Sequence, residues 1–166
     1  GDNVVDVGNV IIGYEFIWKM DTGKLYLDES NIPDKVLEDY PSNFFKLIAK
    51  FQDNLFEYLK NSNYNVEDIN TMLTLPYKWK AGSSILWHDD GLHDFGVSYY
   101  LNESWNLNCG GELMLENGKW VYPSFNRAVV QMKRFQHRVN NIQDGCKDRF
   151  SLQTFIQNNN SSGRIY

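Results

Sequence analysis

The 166 residues include only three histidines, two cysteines and four prolines. Cys109 and Cys146 are too few for a disulfide framework and lack the paired spacing of a zinc motif, so both are expected to be ordinary reduced thiols. Basic residues are also scarce: sixteen Lys and Arg stand against twenty-one Asp and Glu, and no basic run exceeds two residues. That leaves no electrostatic footprint for sequence-independent binding, and no nucleic-acid partner is expected. No apolar stretch approaches the ~20 residues of a membrane helix, and the opening GDNVVDVGN lacks the charged-then-apolar layout of a signal peptide. A soluble, cytoplasmic protein without a membrane partner is the expectation. The length suits one domain around one core.

Aromatic residues, by contrast, are plentiful, and the second half of the chain breaks into strand-like runs at 71–79, 84–90, 95–101, 111–115, 119–122, 127–132, 135–140 and 148–156. Eight short strands separated by turn signals predict a jelly roll or barrel. Ahead of them, residues 10–18 and 24–27 flank Asp21-Thr22-Gly23 as a β-hairpin, and Asn31 and Pro33 open a short helix. From Ser42 to about Lys60, the residues Phe44, Ile48, Phe51, Leu55 and Leu59 recur at spacings of three and four. This predicts an amphipathic helix whose apolar stripe covers the outer face of a sheet. The expected organisation is a single domain over 1–166: hairpin and helices in 1–70, a jelly-roll core in 71–156, and a flexible tail in 157–166.

With three histidines at 88, 93 and 137, each can be weighed separately. If S-S-I-L-W-H-D-D is a strand, His88 and Asp90 share a face and Asp89 points to the other. An imidazole and a carboxylate two apart offer two donors to one ion. His137, forty-nine residues on in F-Q-H-R-V, can supply a third from another strand. Two histidines and one carboxylate make a facial triad, which leaves open positions for a co-substrate and O₂ on Fe(II). Catalytic zinc accepts the same donors, so the ligands alone do not fix the metal. His93 adjoins Asp94, would face away from it in a strand, and reads as a loop histidine near the entrance.

Twelve residues after His137 comes D-R-F-S-L-Q-T-F-I. In a strand, Arg149, Ser151, Gln153 and Phe155 share one face, while Phe150, Leu152, Thr154 and Ile156 share the other. An inward arginine with a serine beside it suits a carboxylate, held through paired charge-assisted hydrogen bonds; the plainer alternative is a surface ion pair. In F-G-V-S-Y-Y-L-N, the residues Phe95, Val97, Tyr99 and Leu101 make a bulky face suited to lying under the helix. Gly96, Ser98 and Tyr100 make a face with room for a ligand. Tyr100 could donate to the carboxylate held by Arg149, or be a core tyrosine satisfied by backbone.

With these residues in view, the stretch from Thr71 to Ile156 resembles the prolyl 4-hydroxylase-like branch of the 2-oxoglutarate and Fe(II)-dependent oxygenase superfamily. The likeness rests on ordered features: His88-x-Asp90, Tyr99-Tyr100-Leu101-Asn102 with Trp105 three further on, Gly110-Gly111-Glu112-Leu113, His137-x-Val139 and Arg149-x-Ser151. It implies a mainly β fold with flanking α-helices, the double-stranded β-helix or cupin-like jelly roll. It makes His88, Asp90 and His137 the iron ligands and Arg149 the partner of the distal 2-oxoglutarate carboxylate. Ser151, Tyr100 and Tyr77 match positions that assist it. The step from His137 to Arg149 is longer than in many relatives, and N-N-I-Q-D-G-C-K-D reads as a long hairpin turn. Asp90 is intact, unlike in relatives that let halide bind iron. Phe155 stands where nucleic-acid demethylases of the family carry a second arginine, which speaks against demethylation.

The resemblance implies Fe(II), the co-substrate 2-oxoglutarate and O₂, and hydroxylation of a peptide, protein or small-molecule substrate, with a prolyl side chain favoured. Two other readings use the same ligands. A non-catalytic jelly-roll metal- or ligand-binding module would have no need of the Arg149 clamp. A zinc-dependent hydrolase would need a general base, for which Asp89, Asp94 and Glu112 are the candidates. Nothing in the pattern speaks to oligomeric state.

Overall fold

The structure, a computed structural model, describes residues 10–21, 24–91, 93–132 and 134–158. The run expected as one strand over 10–18 is two, β1 (Val10–Ile12) and β2 (Phe16–Asp21). The break falls at Gly13, whose N–H donates to the Pro76 carbonyl at 2.8 Å. A Cβ there would lie 2.5 Å from Pro76 Cγ, so the chain passes over the proline only because the residue is glycine. The hairpin forms as expected between β2 and β3 (Lys24–Leu27), with Asp21 opposite Lys24. Its turn residues Thr22 and Gly23 lie outside the described residues, as does the tail from 159 onward.

The short helix α1 (Asp34–Asp39) follows Pro33, and the long helix α2 (Ser42–Asn61) follows Pro41. Each proline sits at the N-cap with φ near −60°, a torsion its ring sets in advance. After Ser62, Asn63 takes φ 62°, a left-handed turn that ends the helix. Ile48, Phe51, Leu55 and Leu59 are buried, as the periodicity requires, and so is Gln52. The amide of Gln52 is met by the Thr74 and Thr154 hydroxyls, which are themselves 2.8 Å apart. A pattern of apolar residues does not reveal this polar knot beneath the helix.

The helix lies on a seven-stranded antiparallel sheet ordered β3-β2-β4-β11-β6-β9, with β1 also paired to β4. Here β4 is Ile69–Trp79, β6 is Phe95–Tyr100, β9 is Ala128–Met132 and β11 is Arg149–Asn158. The last strand thus runs two residues into the expected tail. Alternation divides the sheet: Trp18, Met72, Val97, Leu152 and Ile156 join the α2 stripe in one core cluster, and Phe51 stacks on Tyr99 at 4.5 Å. The opposite face meets a four-stranded sheet ordered β5-β10-β7-β8, from Ile85–His88, His137–Val139, Leu113–Leu115 and Trp120–Val121. Trp79, Ile85, Leu113, Val139 and Ile142 form a second cluster between the sheets. Two facing antiparallel sheets with helices on one outer face make the mainly β jelly roll.

Two expectations are corrected here. The segment between His137 and Arg149 is not a hairpin turn, because β10 and β11 belong to different sheets. It is a crossover, anchored by the fully buried Ile142 and by backbone bonds from Ile142 N–H to the Ser83 carbonyl and from Gln143 N–H to the Cys109 carbonyl. Nor are the cysteines reduced thiols: Cys109 and Cys146 form a disulfide, with Cα atoms 5.8 Å apart. The crossover folds back on the loop before β7, and this brings together two cysteines thirty-seven residues apart. No described helix is long and apolar enough to cross a membrane.

Candidate active site

His88 and His137 are cross-strand partners on β5 and β10, with ring centroids 4.3 Å apart. The Nδ1 of each lies against the carbonyl two residues earlier, Leu86 at 2.7 Å and Phe135 at 2.9 Å. A carbonyl only accepts, so each Nδ1 carries the proton and each Nε2 keeps a free lone pair. Asp90 Oδ1 is 3.9 Å from His88 Nε2 and 3.6 Å from His137 Nε2. One ligand atom from each of the three lies within 4.8 Å of the others, a span one metal ion can bridge. Burial holds His137 below its ordinary value, with Asp90 and the Phe135 carbonyl acting the other way, which favours the neutral, ligating form.

The convergence has a different cause from the strand alternation expected. β5 ends at His88, and its pairing with β10 is irregular, with His137 opposite His88 but Val139 opposite Ile85. Asp90 reaches the histidines from the turn that follows, in which His93 N–H donates to the Asp90 carbonyl at 2.7 Å. Asp89 also lines the cavity instead of pointing away. What separates it from the ligand cluster is prior engagement, because its carboxylate accepts from Gly91 N–H at 2.9 Å and from Gln136 at 3.4 Å. His93 stacks on Phe155 at 4.6 Å in the wall of the same cavity.

That cavity, about 500 Å³, runs between the two sheets from the histidines to Arg149. Arg149 is 2 % exposed, and its guanidinium lies between the rings of Trp79 and Tyr100, at 4.9 and 4.8 Å. Its Nε and Nη1 are buried without a hydrogen-bond partner among the described residues, as is the Tyr100 hydroxyl. Burial lowers the Arg149 pKa, with Tyr100 and Glu112 opposing, and a guanidinium stays charged through such a shift. A buried cation with orphaned donors at the end of a cavity is suited to an anion of matching geometry. Ser151, also buried, stands opposite Tyr100 on one side and Tyr77 on the other. Burial and the charge of Asp90 push the Tyr77 phenol up to about 12, so it remains a proton donor.

The donor sets fit the groups expected of them. Two imidazoles and a carboxylate suit Fe(II) with open positions, and the orphaned donors of Arg149 and Tyr100 suit a carboxylate. Sequence reasoning missed Trp79 and Gln131 in the cavity wall. Trp79 is two residues beyond Tyr77, a spacing that a strict period-two reading would have used. Gln131 is a lone polar residue in A-V-V-Q-M and carries no comparable signal.

The model of the 2OG-Fe(II) oxygenase superfamily matches residues 72–157, a little over half of the chain. No curated protein matches the sequence. Among solved structures, the chain is similar to a prolyl hydroxylase from Trichoplax adhaerens in complex with a hypoxia inducible factor oxygen degradation domain peptide fragment. Identity is 23%, the TM-score is 0.58, and the alignment covers 72% of this chain and 58% of that one. The chain therefore spans a little under three-fifths of that relative's length. It is also similar to IDO from Bacillus thuringiensis, with 16% identity, a TM-score of 0.59, and 93% and 80% of the two chains covered. At these identities the likeness speaks to the fold.

Proposed function

The chain belongs to the 2OG-Fe(II) oxygenase superfamily, and from that premise we propose that it couples oxidative decarboxylation of 2-oxoglutarate to hydroxylation of a prolyl residue in a peptide or protein. In this reading His88, Asp90 and His137 hold Fe(II), and Arg149 holds the distal carboxylate of 2-oxoglutarate, assisted by Tyr100, Ser151 and Tyr77. When bound, Fe(II) with 2-oxoglutarate and O₂ supplies the oxidation: CO₂ leaves, one oxygen atom enters succinate, and the other enters a substrate C–H bond.

The chain's own part is positioning. The Leu86 and Phe135 carbonyls fix the histidine tautomers and aim both Nε2 atoms at the ion. Trp79 and Tyr100 each place a ring beside the guanidinium carbon, at 4.9 and 4.8 Å, and so restrict it, and Ile85, Leu113 and Val139 line the cavity as apolar wall that limits water. The prolyl substrate rests on the resemblance in residues 71–156 and on the Trichoplax relative, whose bound ligand is a peptide fragment.

The observation that carries the reading is Arg149, buried in the cavity that the triad opens onto, with two of its donor nitrogens unpartnered among the described residues. A metal-binding module without turnover has no use for such a clamp. The zinc hydrolase lacks a free base: Asp89 is engaged as above, Glu112 accepts from Asn140, and Asp94 accepts from Asn158 N–H at 2.9 Å. The disulfide favours oxidising surroundings over the cytoplasm expected from composition.

Anaerobic Fe(II) plus 2-oxoglutarate should give a visible charge-transfer absorption that His137→Ala abolishes and Arg149→Ala weakens. Succinate release should then rise with proline-containing peptides. A parent protein that gives neither the absorption nor succinate sinks the reading in favour of the binding module.

A further inference from the structure

Asp90 turns one oxygen towards the histidines, while the other, Oδ2, is buried with no hydrogen-bond partner among the described residues. A carboxylate oxygen shut away from water is rarely left so. The space beside it is open because residue 96 is glycine: a Cβ there would lie 2.4 Å from Asp90 Oδ2 and 3.2 Å from Gln131 Oε1. Asp90 and Gln131 therefore converge over the bare backbone of Gly96, which is the cross-strand partner of Gln131. Gln131 is 3 % exposed. Its Nε2 approaches Ser98 Oγ at 3.5 Å, and Ser98 in turn donates to Gln153 Oε1 at 2.7 Å.

In this orientation the amide oxygen of Gln131 faces the same space as a carboxylate oxygen, two acceptors with no hydrogen between them. The two ends of an amide exchange places by a half-turn of the side chain. With Gln131 turned, Nε2–H points to Asp90 Oδ2 and Oε1 accepts the Ser98 hydroxyl. With Gln153 turned as well, its Nε2–H donates to Ser98 Oγ. Each of these three bonds then has one donor and one acceptor, and the chain Gln153, Ser98, Gln131 ends on the orphaned oxygen.

We propose that Gln131 is a positioning residue for the metal site. It donates to Asp90 Oδ2 and so holds the carboxylate to one-oxygen ligation through Oδ1, and Ser98 and Gln153 set the direction of its amide. The inference rests on the reading of Asp90 as a metal ligand. Outer partners of this kind raise the affinity of a site by restricting its ligands to the geometry the ion takes. A neutral donor does so without adding a charge.

The test is Co(II) titration of the full chain under a competing chelator, with the Co(II) d–d spectrum as second readout. Gln131→Glu has the same size and cannot donate when ionised. Gln131→Leu has neither donor nor acceptor. Each should weaken Co(II) binding by ~10–100-fold and alter the d–d band, as Asp90 gains freedom to chelate through both oxygens. Ser98→Ala keeps the amide and frees its direction, so it should give a smaller loss. Equal thermal unfolding of the metal-free proteins identifies correctly folded variants, and Ser98→Ala serves if either Gln131 variant fails to fold. If the parent binds Co(II), Asp90→Ala abolishes binding, and the correctly folded variants match the parent in affinity and spectrum, the positioning role is overturned alone. Parent binding that is absent, or that survives Asp90→Ala, overturns the metal reading and this role with it.

Discussion

Trp79 and Arg149 are cross-strand partners on β4 and β11, and the indole lies 4.9 Å from the guanidinium carbon. Register puts the two side by side, and the stack holds the fork of N–H groups at one angle. A cation–π contact of this kind is worth about 0.5–2 kcal/mol. Trp79→Leu should therefore raise the dissociation constant for 2-oxoglutarate by ~2–30-fold, with iron binding unchanged. Titration of the charge-transfer band reads both. A Trp79→Leu protein that binds 2-oxoglutarate like the parent would mean that Tyr100 alone orients the arginine.

Gly96→Ala places a methyl group 2.4 Å from Asp90 Oδ2, closer than any carbon and oxygen tolerate without bonding. Asp90 has to move, because the backbone of a central strand moves less easily. The expected outcome is at least a ~10-fold loss of iron retained through desalting, measured by chelator absorbance, with little change in the unfolding temperature of the metal-free protein. Full retention of iron would show that Asp90 adapts.

The depressed His137 pKa sets a pH dependence. In the unfolded chain this histidine takes up a proton near its ordinary 6.5, whereas in the folded, metal-free site burial delays uptake to lower pH. The unfolded state binds more protons across that window, so the metal-free protein loses stability as the pH falls below ~6.5. Thermal unfolding at pH 7.5 and 5.5 should show the decline, and His137→Gln should remove its share. An identical decline in the variant would assign it to other groups.

Breaking the Cys109–Cys146 bond frees a loop of thirty-seven residues, and closing a loop of that size contributes about 2–4 kcal/mol. Cys146 is three residues before Arg149, so the Cys109→Ser/Cys146→Ser double variant should both unfold at lower temperature and bind 2-oxoglutarate more weakly. Calorimetry and the charge-transfer titration give the two answers. A lower unfolding temperature with unaltered 2-oxoglutarate affinity would confine the disulfide to a structural role.

Much of this arrangement is legible in the sequence because it repeats with the period of its elements. The helical spacing of Ile48, Phe51, Leu55 and Leu59 needs only one sheet beneath it. The alternation of Arg149, Ser151, Gln153 and Phe155 needs only an extended backbone. Features that depend on chain crossings are not encoded locally. The turn after His88 brings Asp90 to the histidines, a grouping that strand parity reached by a different route. Cys109 meets Cys146 only because the segment after Val139 changes sheets. Gln131 approaches Asp90 only across the gap at Gly96, and Gln52 enters the core because two threonines on neighbouring strands await it.

The same disulfide governs how the protein has to be handled. Ferrous iron is kept from oxidising by an added reductant, and a thiol reductant would also attack the Cys109–Cys146 bond, since exchange proceeds through a free thiolate. Cys109 is only 9 % exposed whereas Cys146 is half-buried, so attack falls on the Cys146 side of the bond and a thiol-treated sample would lose the link progressively with storage time. Ascorbate carries no thiol. Preparations kept in ascorbate and in dithiothreitol would start alike and part company with age.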